Sequence, residues 1–333
     1  MNSHYDLANL PNPDLKDIFQ QVSMEMGVPP ALVEKDFWVS FLLKYLYQDS
    51  PWKENILFKG GTCLSKCYKA IHRFSEDIDL LLDWRILGYP YTGPAIEKTR
   101  KKQEKSNEIL LDKTMRFVTE ELYPKMKNDL NKILDKGFDL TVSDTNVIFK
   151  YPSSLNPQYI KNEILMEIGP RGIWGNSTSK TITSYVCQHL PELCEERIAV
   201  HAISLDRAFC EKLLILHTVA CKEKLPERYS RHYYDVASIC RCGQLPVVTI
   251  QLIEECTRFK SRFFPGTANG YESVLGGSMK LIPPESIRSE LDRDYRAMSV
   301  MIFGIPPSLD EIIDIISEYE TNLSHTHVRL GTV

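Results

Sequence analysis

Residues 58–82 read FKGGTCLSKCYKAIHRFSEDIDLLL. The apolar run Ile56-Leu57-Phe58 predicts a strand that stops at the Gly60-Gly61 turn, and Thr62 to Ile71 has helical character. Asp77 to Leu82 then predicts a second strand, since it is short, bounded by turns and interrupted by acid at alternate positions. Side chains two apart on a strand share a face, so Asp77 and Asp79 would present two carboxylates side by side. Such a pair repels itself unless a cation stands between. Mg²⁺ suits the place, because it takes few protein carboxylates, keeps waters and fills its remaining positions with phosphate oxygens. Gly60 and Gly61 let the backbone turn tightly into the Thr62 helix, whose free N–H groups and positive dipole end favour an anion. A double glycine alone marks many plain turns, and an Asp-x-Asp alone many solvated edges. Within one strand–turn–helix–strand unit they complement each other, as a phosphate cradle beside a metal pair.

The rest of the chain bounds the problem without naming an activity. At about 150 residues per domain, 333 residues allow roughly two domains. Hydrophobic residues at 43% and charged residues at 25% exclude collagen-like, disordered and disulfide-scaffold classes. Forty Lys and Arg against 44 Asp and Glu leave a net charge of -4, so any nucleic-acid contact has to come from a local patch. The nine cysteines are odd in number, scattered through apolar stretches and without paired CxxC spacings, and they read as reduced core thiols of a cytoplasmic protein. Neither a signal peptide nor an apolar run long enough for a membrane span is found.

Three regions follow from composition and periodicity. Residues 1–50 form a helical segment, with helices over Leu15 to Met26 and Ala31 to Tyr47. Residues 51–203 form the core, adding a charged helix from Ile96 to Leu134 and strands over Asp139 to Val142, Val147 to Tyr151 and Ile164 to Ile168. Residues 204–333 are helical: Leu205 to Lys222, Tyr233 to Arg241, Val247 to Phe259, Ile287 to Met301 and Leu309 to Leu323. The fold class is α+β, a mixed-sheet core flanked by helices with a helical C-terminal region.

The string at 58–82 resembles motif I of the nucleotidyltransferase-like toxins of the AbiEii/AbiGii family, within the DNA polymerase β-type nucleotidyltransferase superfamily. GVPPALVEKDFWVSFLL, LDRAFCEKLLILH, SRHYYDVASI and DYRAMSVMIFG are also similar to family segments, so the resemblance spans roughly residues 25 to 320. It implies a polymerase β-like core in which the glycine turn (Gly60, Gly61, Thr62) holds the triphosphate of an NTP and Asp77 and Asp79 hold Mg²⁺ or Mn²⁺. It also implies a bacterial toxin of a type IV toxin–antitoxin or abortive-infection system that transfers NMP to an acceptor, RNA such as a tRNA 3′ end. A cognate antitoxin with a winged-helix DNA-binding part is the expected partner.

Further candidates complete the expected site. Metal-assisted nucleotidyl transfer commonly uses a third carboxylate, and Glu167, a lone acid in an apolar strand, is first choice with Glu163 as runner-up; the alternative is an outward-pointing acid on an edge strand. Arg207 and Glu211, four apart, can pair along their helix and leave Lys212 to reach elsewhere. The resemblance assigns Lys212 and Asp235 to the active site; otherwise Lys212 snorkels and Asp235 complements a helix dipole. Ser75 is similar to the motif-I serine and would face the site by strand parity, or else caps a turn. Arg231 offers a cation to phosphate or RNA, or is plain surface charge. The basic stretch Lys98 to Lys105 reads as a solvated helix face. Kinase-like transfer to a protein hydroxyl and a non-catalytic nucleotide-binding module are the two alternatives to nucleotidyl transfer.

Overall fold

The computed structural model describes residues 3–155, 160–175, 177–222 and 225–330, with side chains given up to 323. The chain forms two compact units: 1–67, 75–170 and 174–203 make the first, and 68–74, 171–173 and 204–333 the second.

The first unit runs α1 (His4–Ala8), α2 (Asn12–Met26), α3 (Pro30–Lys44), β1 (Ile56–Lys59), α4 (Gly60–Lys66), β2 (Ile78–Leu82), α5 (Arg100–Arg116), α6 (Tyr123–Ile133), β3 (Asp139–Ser143), β4 (Asn146–Lys150), β5 (Glu163–Gly169), β6 (Ser177–Ile182), α7 (Tyr185–His189) and β7 (Ile198–Ile203). Among the described residues its strands make one seven-stranded sheet in the order β3-β4-β5-β2-β1-β7-β6. The sheet is mixed: β2 lies antiparallel to β1 and parallel to β5, and β1 is parallel to β7. This is the α+β class expected from the sequence.

Local chemistry explains most boundaries. Gly27, at φ +66°, ends α2 in the left-handed conformation, and Pro29-Pro30 then opens α3. Thr99 caps α5, so the charged helix begins at Arg100 rather than at Ile96. It continues to Ile133 through a π-helical turn at Phe117–Leu122, and Lys98, Arg100, Lys101, Lys102 and Lys105 are all exposed, a solvated face. The helix expected from Thr62 to Ile71 stops at Lys66, because Lys69 adopts φ +51°, which no α-helix accommodates. Two strands, β6 and β7, lie where none was expected.

Helix α3 is buried from Ala31 to Lys44 and rests on the sheet. Trp38 stacks on Tyr151 at 5.6 Å and meets Phe41 edge-on, while Phe41 stacks on Phe149 of β4. Four ionisable residues on this helix are also buried: Glu34, Lys35, Asp36 and Lys44. Each has a partner, as such burial requires. Glu34 accepts from the Ser154 amide at 2.6 Å and the Ser153 hydroxyl at 2.7 Å. Lys35 meets Glu76 at 2.5 Å and the Lys161 carbonyl at 3.1 Å. Asp36 binds Lys66 at 2.5 Å and accepts from the Tyr185 amide at 2.8 Å. Lys44 pairs with Glu196.

The cysteines differ from the expectation of nine reduced core thiols. Cys187 and Cys194 are joined in a disulfide, while the other seven are free and Cys221 among them is exposed. The seven-residue separation brings the two Cα atoms to 4.8 Å across the turn after α7, a spacing that no CxxC search detects.

The second unit contains α8 (Leu205–Ala220), α9 (Ser230–Arg241), α10 (Ile250–Phe263), α11 (Tyr271–Leu275), α12 (Arg288–Ser299) and α13 (Leu309–Leu330). Phe209 of α8 meets Tyr319 of α13 edge-on at 5.2 Å. The amides of Arg228 and Ser230 donate to Asp294 of α12, which supplies the side-chain acceptor that the start of α9 lacks in its own sequence. Residues 72–74 also belong here: Phe74 N–H donates to the Met301 carbonyl, Phe303 N–H donates to the His72 carbonyl, and Arg73 bridges Ile302.

Removing one member of a buried ion pair leaves the other uncompensated. Asp36→Ala is therefore expected to destabilise the protein by about 3–5 kcal/mol in urea denaturation, and Asp36→Leu combined with Lys66→Met by clearly less.

Candidate active site

In the first unit, strand register places one of the two aspartates that the sequence set on one face. Asp79 is the second residue of β2 and Asp77 immediately precedes the strand; both are half-buried, whereas Ile78 and Leu80 point into the core. Strand register sets Asp79 between Lys59 of β1 and Glu167 of β5. Along β5, Ile164, Met166 and Ile168 are buried and Glu163, Leu165 and Glu167 occupy the opposite face, so Glu167 shares its face with Asp79. β5 is interior to the sheet, flanked by β4 and β2, which removes the edge-strand alternative for Glu167. Glu163 lies four residues back, about 13 Å along the strand, beside Lys150 and paired with Lys161 at 3.3 Å. Geometry thus separates the two candidate third carboxylates.

The glycine turn is built around Asp79. Gly60 has φ +79°, and a Cβ there would lie 1.7 Å from the Asp79 Oδ2. Only a residue without a side chain lets this carboxylate reach the turn between β1 and α4. Thr62 is buried, and its hydroxyl donates to the Asp77 carbonyl at 2.6 Å, which ties the first turn of α4 to the start of β2. Its side chain is thereby committed to the scaffold, and what it can offer a phosphate is its backbone. Ser75 is half-buried and precedes β2 by three residues, beyond the reach of strand alternation. Carboxylate oxygens of Asp77, Asp79 and Glu167 are hard donors of the kind Mg²⁺ and Mn²⁺ take. Directly neighbouring like charges such as Asp79 and Glu167 are unfavourable without a counter-charge. In donor type these carboxylates beside a side-chain-free turn suit a divalent cation, while among the described residues their oxygens do not form a compact three-acid cluster.

The second unit holds a separate charged cluster. Asp235 is fully buried and sits in the second turn of α9, past the reach of the dipole explanation. Arg73 grips it with two parallel bonds, Nε at 2.7 Å and Nη2 at 2.8 Å, and Lys212 Nζ stands 2.7 Å from its Oδ2. Both oxygens are engaged by cations, so Asp235 is a counter-ion that positions Arg73 and Lys212. Burial by itself would raise its pKa; the charges of Arg73 and then Lys212 override that and hold the carboxyl far below its usual range. Burial lowers the pKa of Lys212, Asp235 opposes that shift, and Arg73 adds to it. His232 Nδ1 lies 3.5 Å from Lys212 Nζ, and burial together with the charges of Lys212 and Arg231 keeps its ring neutral. Arg207 and Glu211 pair at 3.5 Å, as the sequence suggested.

Sequence reasoning assigned no role to Arg73, Lys35, Asp36 or Lys66. A signal existed for the α3 pair: three consecutive charges, Glu34-Lys35-Asp36, inside an otherwise apolar helix demand buried partners. No local signal links Arg73 to Asp235, which lie 162 residues apart.

Comparison with known proteins gives the following. The family model described as nucleotidyl transferase AbiEii toxin, type IV TA system, matches residues 42–315. Among solved structures, MenT4, a nucleotidyltransferase toxin from Mycobacterium tuberculosis H37Rv, aligns over 96% of this chain and 99% of its own, at 13% identity and a TM-score of 0.44. A search of curated proteins finds no match.

Two outcomes follow from this geometry. Gly60→Ala places a Cβ on the Asp79 carboxylate at a positive φ; it is expected to cost about 1–3 kcal/mol of stability in denaturant melts and to displace the acid. Asp235→Asn removes the counter-charge of two buried cations and is expected to cost about 3–5 kcal/mol near neutral pH. Because the native carboxyl titrates below the unfolded one, this contribution is complete above the unfolded Asp value of about 4 and is lost as pH falls further. The stability gap between wild type and Asp235→Asn should therefore narrow on acidification, as read from denaturation midpoints.

Proposed function

The chain belongs to the AbiEii family of nucleotidyltransferase toxins, and from that premise we propose that it transfers a nucleoside monophosphate from an NTP to RNA, with a tRNA 3′ end as the acceptor. The observation that carries the reading is Asp79, set beside Glu167 by strand register and against the Gly60 turn by contact. Asp77 and Asp79 are the residues that would hold Mg²⁺ or Mn²⁺, and the cation, when bound, would offset charge on the phosphate oxygens.

The chain's own groups do the rest. Gly60, Gly61 and Thr62 present backbone N–H groups to the triphosphate, and Ser75 adds a hydroxyl near the start of the acidic strand. Glu167 accepts the proton of the acceptor hydroxyl, whose oxygen bonds to the α-phosphorus as the bond to the β-phosphate breaks and pyrophosphate leaves. Catalysis of this kind is mostly positioning and charge neutralisation. Lys212 and Arg231 are cations for phosphate oxygens, and Asp235 positions Lys212. The family's type IV toxin–antitoxin setting supplies the remaining partner, an antitoxin, for which a winged-helix DNA-binding part is proposed. No described helix is long and apolar enough to cross a membrane, and a cytoplasmic site of action is part of the proposal.

Incubation with α-labelled NTPs, Mg²⁺ and total RNA is the direct measurement. Labelled RNA is expected, and Asp79→Asn should reduce the rate at least about a hundredfold, more than typically follows loss of a residue that only supports a metal ligand. Transfer from γ-labelled ATP to protein would establish the kinase-like alternative. Nucleotide binding without turnover would leave a binding module.

A further inference from the structure

Helix α1 and the segment around α7 bring together three groups that take no part in the reaction proposed above. His4 is fully buried and stacks on Phe37 at 5.5 Å. Its Nδ1 lies 2.6 Å from Glu196 Oε2, and its Nε2 lies 3.7 Å from the sulfur of Cys187. Cys194 is fully buried and Cys187 nearly so, and the ligand atoms of the three residues all fall within 4.8 Å of one another. Among the described residues this is the one cluster of three or more His, Cys, Asp or Glu compact enough to hold a metal ion.

The orientation of the imidazole is informative. A histidine that donates Nδ1–H to a carboxylate keeps the lone pair on Nε2, and a carboxylate behind the ring is the usual support of a metal-binding histidine. Glu196 is held in that position from two further sides, by the His4 amide at 2.7 Å and by Lys44. Nε2 is the ring atom that faces sulfur, so the donor set this geometry offers is one nitrogen and two sulfurs. That set selects a thiophilic cation over Mg²⁺ or Mn²⁺.

We propose that the reduced protein binds one Zn²⁺ through the thiolates of Cys187 and Cys194 and Nε2 of His4, and that the disulfide seen here is the metal-free oxidised form of the same site. The step needs a thiol reductant. A dithiol opens the bond by exchange and becomes a disulfide itself, while Cys187 and Cys194 take up two electrons and two protons as thiols. Zn²⁺ then displaces both thiol protons to solvent, forming two Zn–S bonds and one Zn–N bond, with a fourth position left to water. Either state tethers the same turn, and the metal state adds a His4–metal bond to the His4–Glu196 bonds that already join this segment to α1.

The test uses the full chain, reduced with a dithiol, incubated with Zn²⁺ and passed over a desalting column before metal analysis. About one zinc per chain is expected, with almost none in oxidised protein, and its loss in both Cys194→Ser and His4→Gln. His4→Gln leaves both cysteines intact and so separates metal binding from loss of the disulfide. Co²⁺ as a probe should show sulfur-to-metal charge-transfer absorption in wild type and none in Cys194→Ser. The proposal is overturned if reduced wild type carries no more zinc than the Cys187→Ser, Cys194→Ser double variant. Co²⁺ binding without the charge-transfer band would overturn it as well, since that ion would sit on carboxylates such as Asp77 and Asp79. Neither result bears on nucleotidyl transfer.

Discussion

Four ionisable side chains on one buried helix set the geometry of the first unit. An isolated charge inside a protein carries a desolvation cost that only a well-placed partner offsets, so each of Glu34, Lys35, Asp36 and Lys44 fixes a distant segment to α3. Lys35 takes Glu76, the residue just before Asp77; Asp36 takes Lys66, the last residue of α4, and the start of α7; Glu34 takes the Ser153-Ser154 turn. The net stability from such pairs is small, since burial and attraction nearly cancel. Their effect is on register. A one-turn slip of α3 would break all of them together, whereas Trp38 and Phe41 could find other apolar contacts. The start of the acidic segment and the helix that follows the glycine turn are thus both tied to α3, at Glu76 and at Lys66.

The parts of the fold that were legible in the sequence are those whose cause is local. β1, the turn at Gly60, α4 and β2 are contiguous, and alternation within Ile78–Leu82 alone says which face Asp79 occupies. β6 was not legible because Ser177–Ile182 is polar at most positions and lies at the sheet edge; six paired positions with β7 make it a strand, rather than its own residues. β7 joins β1 in parallel across the whole unit, at Phe58 and Ala202, and no turn signal announces a pairing that remote. The helix after the glycine turn was overextended because helical periodicity in Thr62 to Ile71 carries no sign of the left-handed backbone at Lys69.

The candidate site divides in the same way. Residue type and spacing nominate Asp77, Asp79 and Gly60, and an acid in an apolar strand nominates Glu167. The distinction between Glu167 and Glu163 needs register, which only the folded sheet supplies. Asp235 illustrates the opposite case. An acid next to two tyrosines in a helix reads as available, yet its neighbours in space are Arg73 and Lys212, and it serves them. Global charge says little here: the net -4 of the chain coexists with a charged cluster of the second unit where Arg73, Lys212 and Arg231 surround one acid, Asp235.

The assignment of residues 68–74 to the second unit has a consequence for the order in which the protein can be completed. The chain leaves the first unit after α4 and returns to it just before Asp77, and the excursion takes its backbone partners from Met301 and Phe303. A ribosome makes those partners about a hundred residues after the last strand of the sheet. The sheet can assemble earlier, since its last strand ends at Ile203, but the connection between the glycine turn and the acidic strand waits for the C-terminal helices. A chain interrupted before residue 301 would carry every candidate acid and still lack the hydrogen bonds that fix the link between them, so translation must pass residue 303 before this region acquires its native backbone pairing.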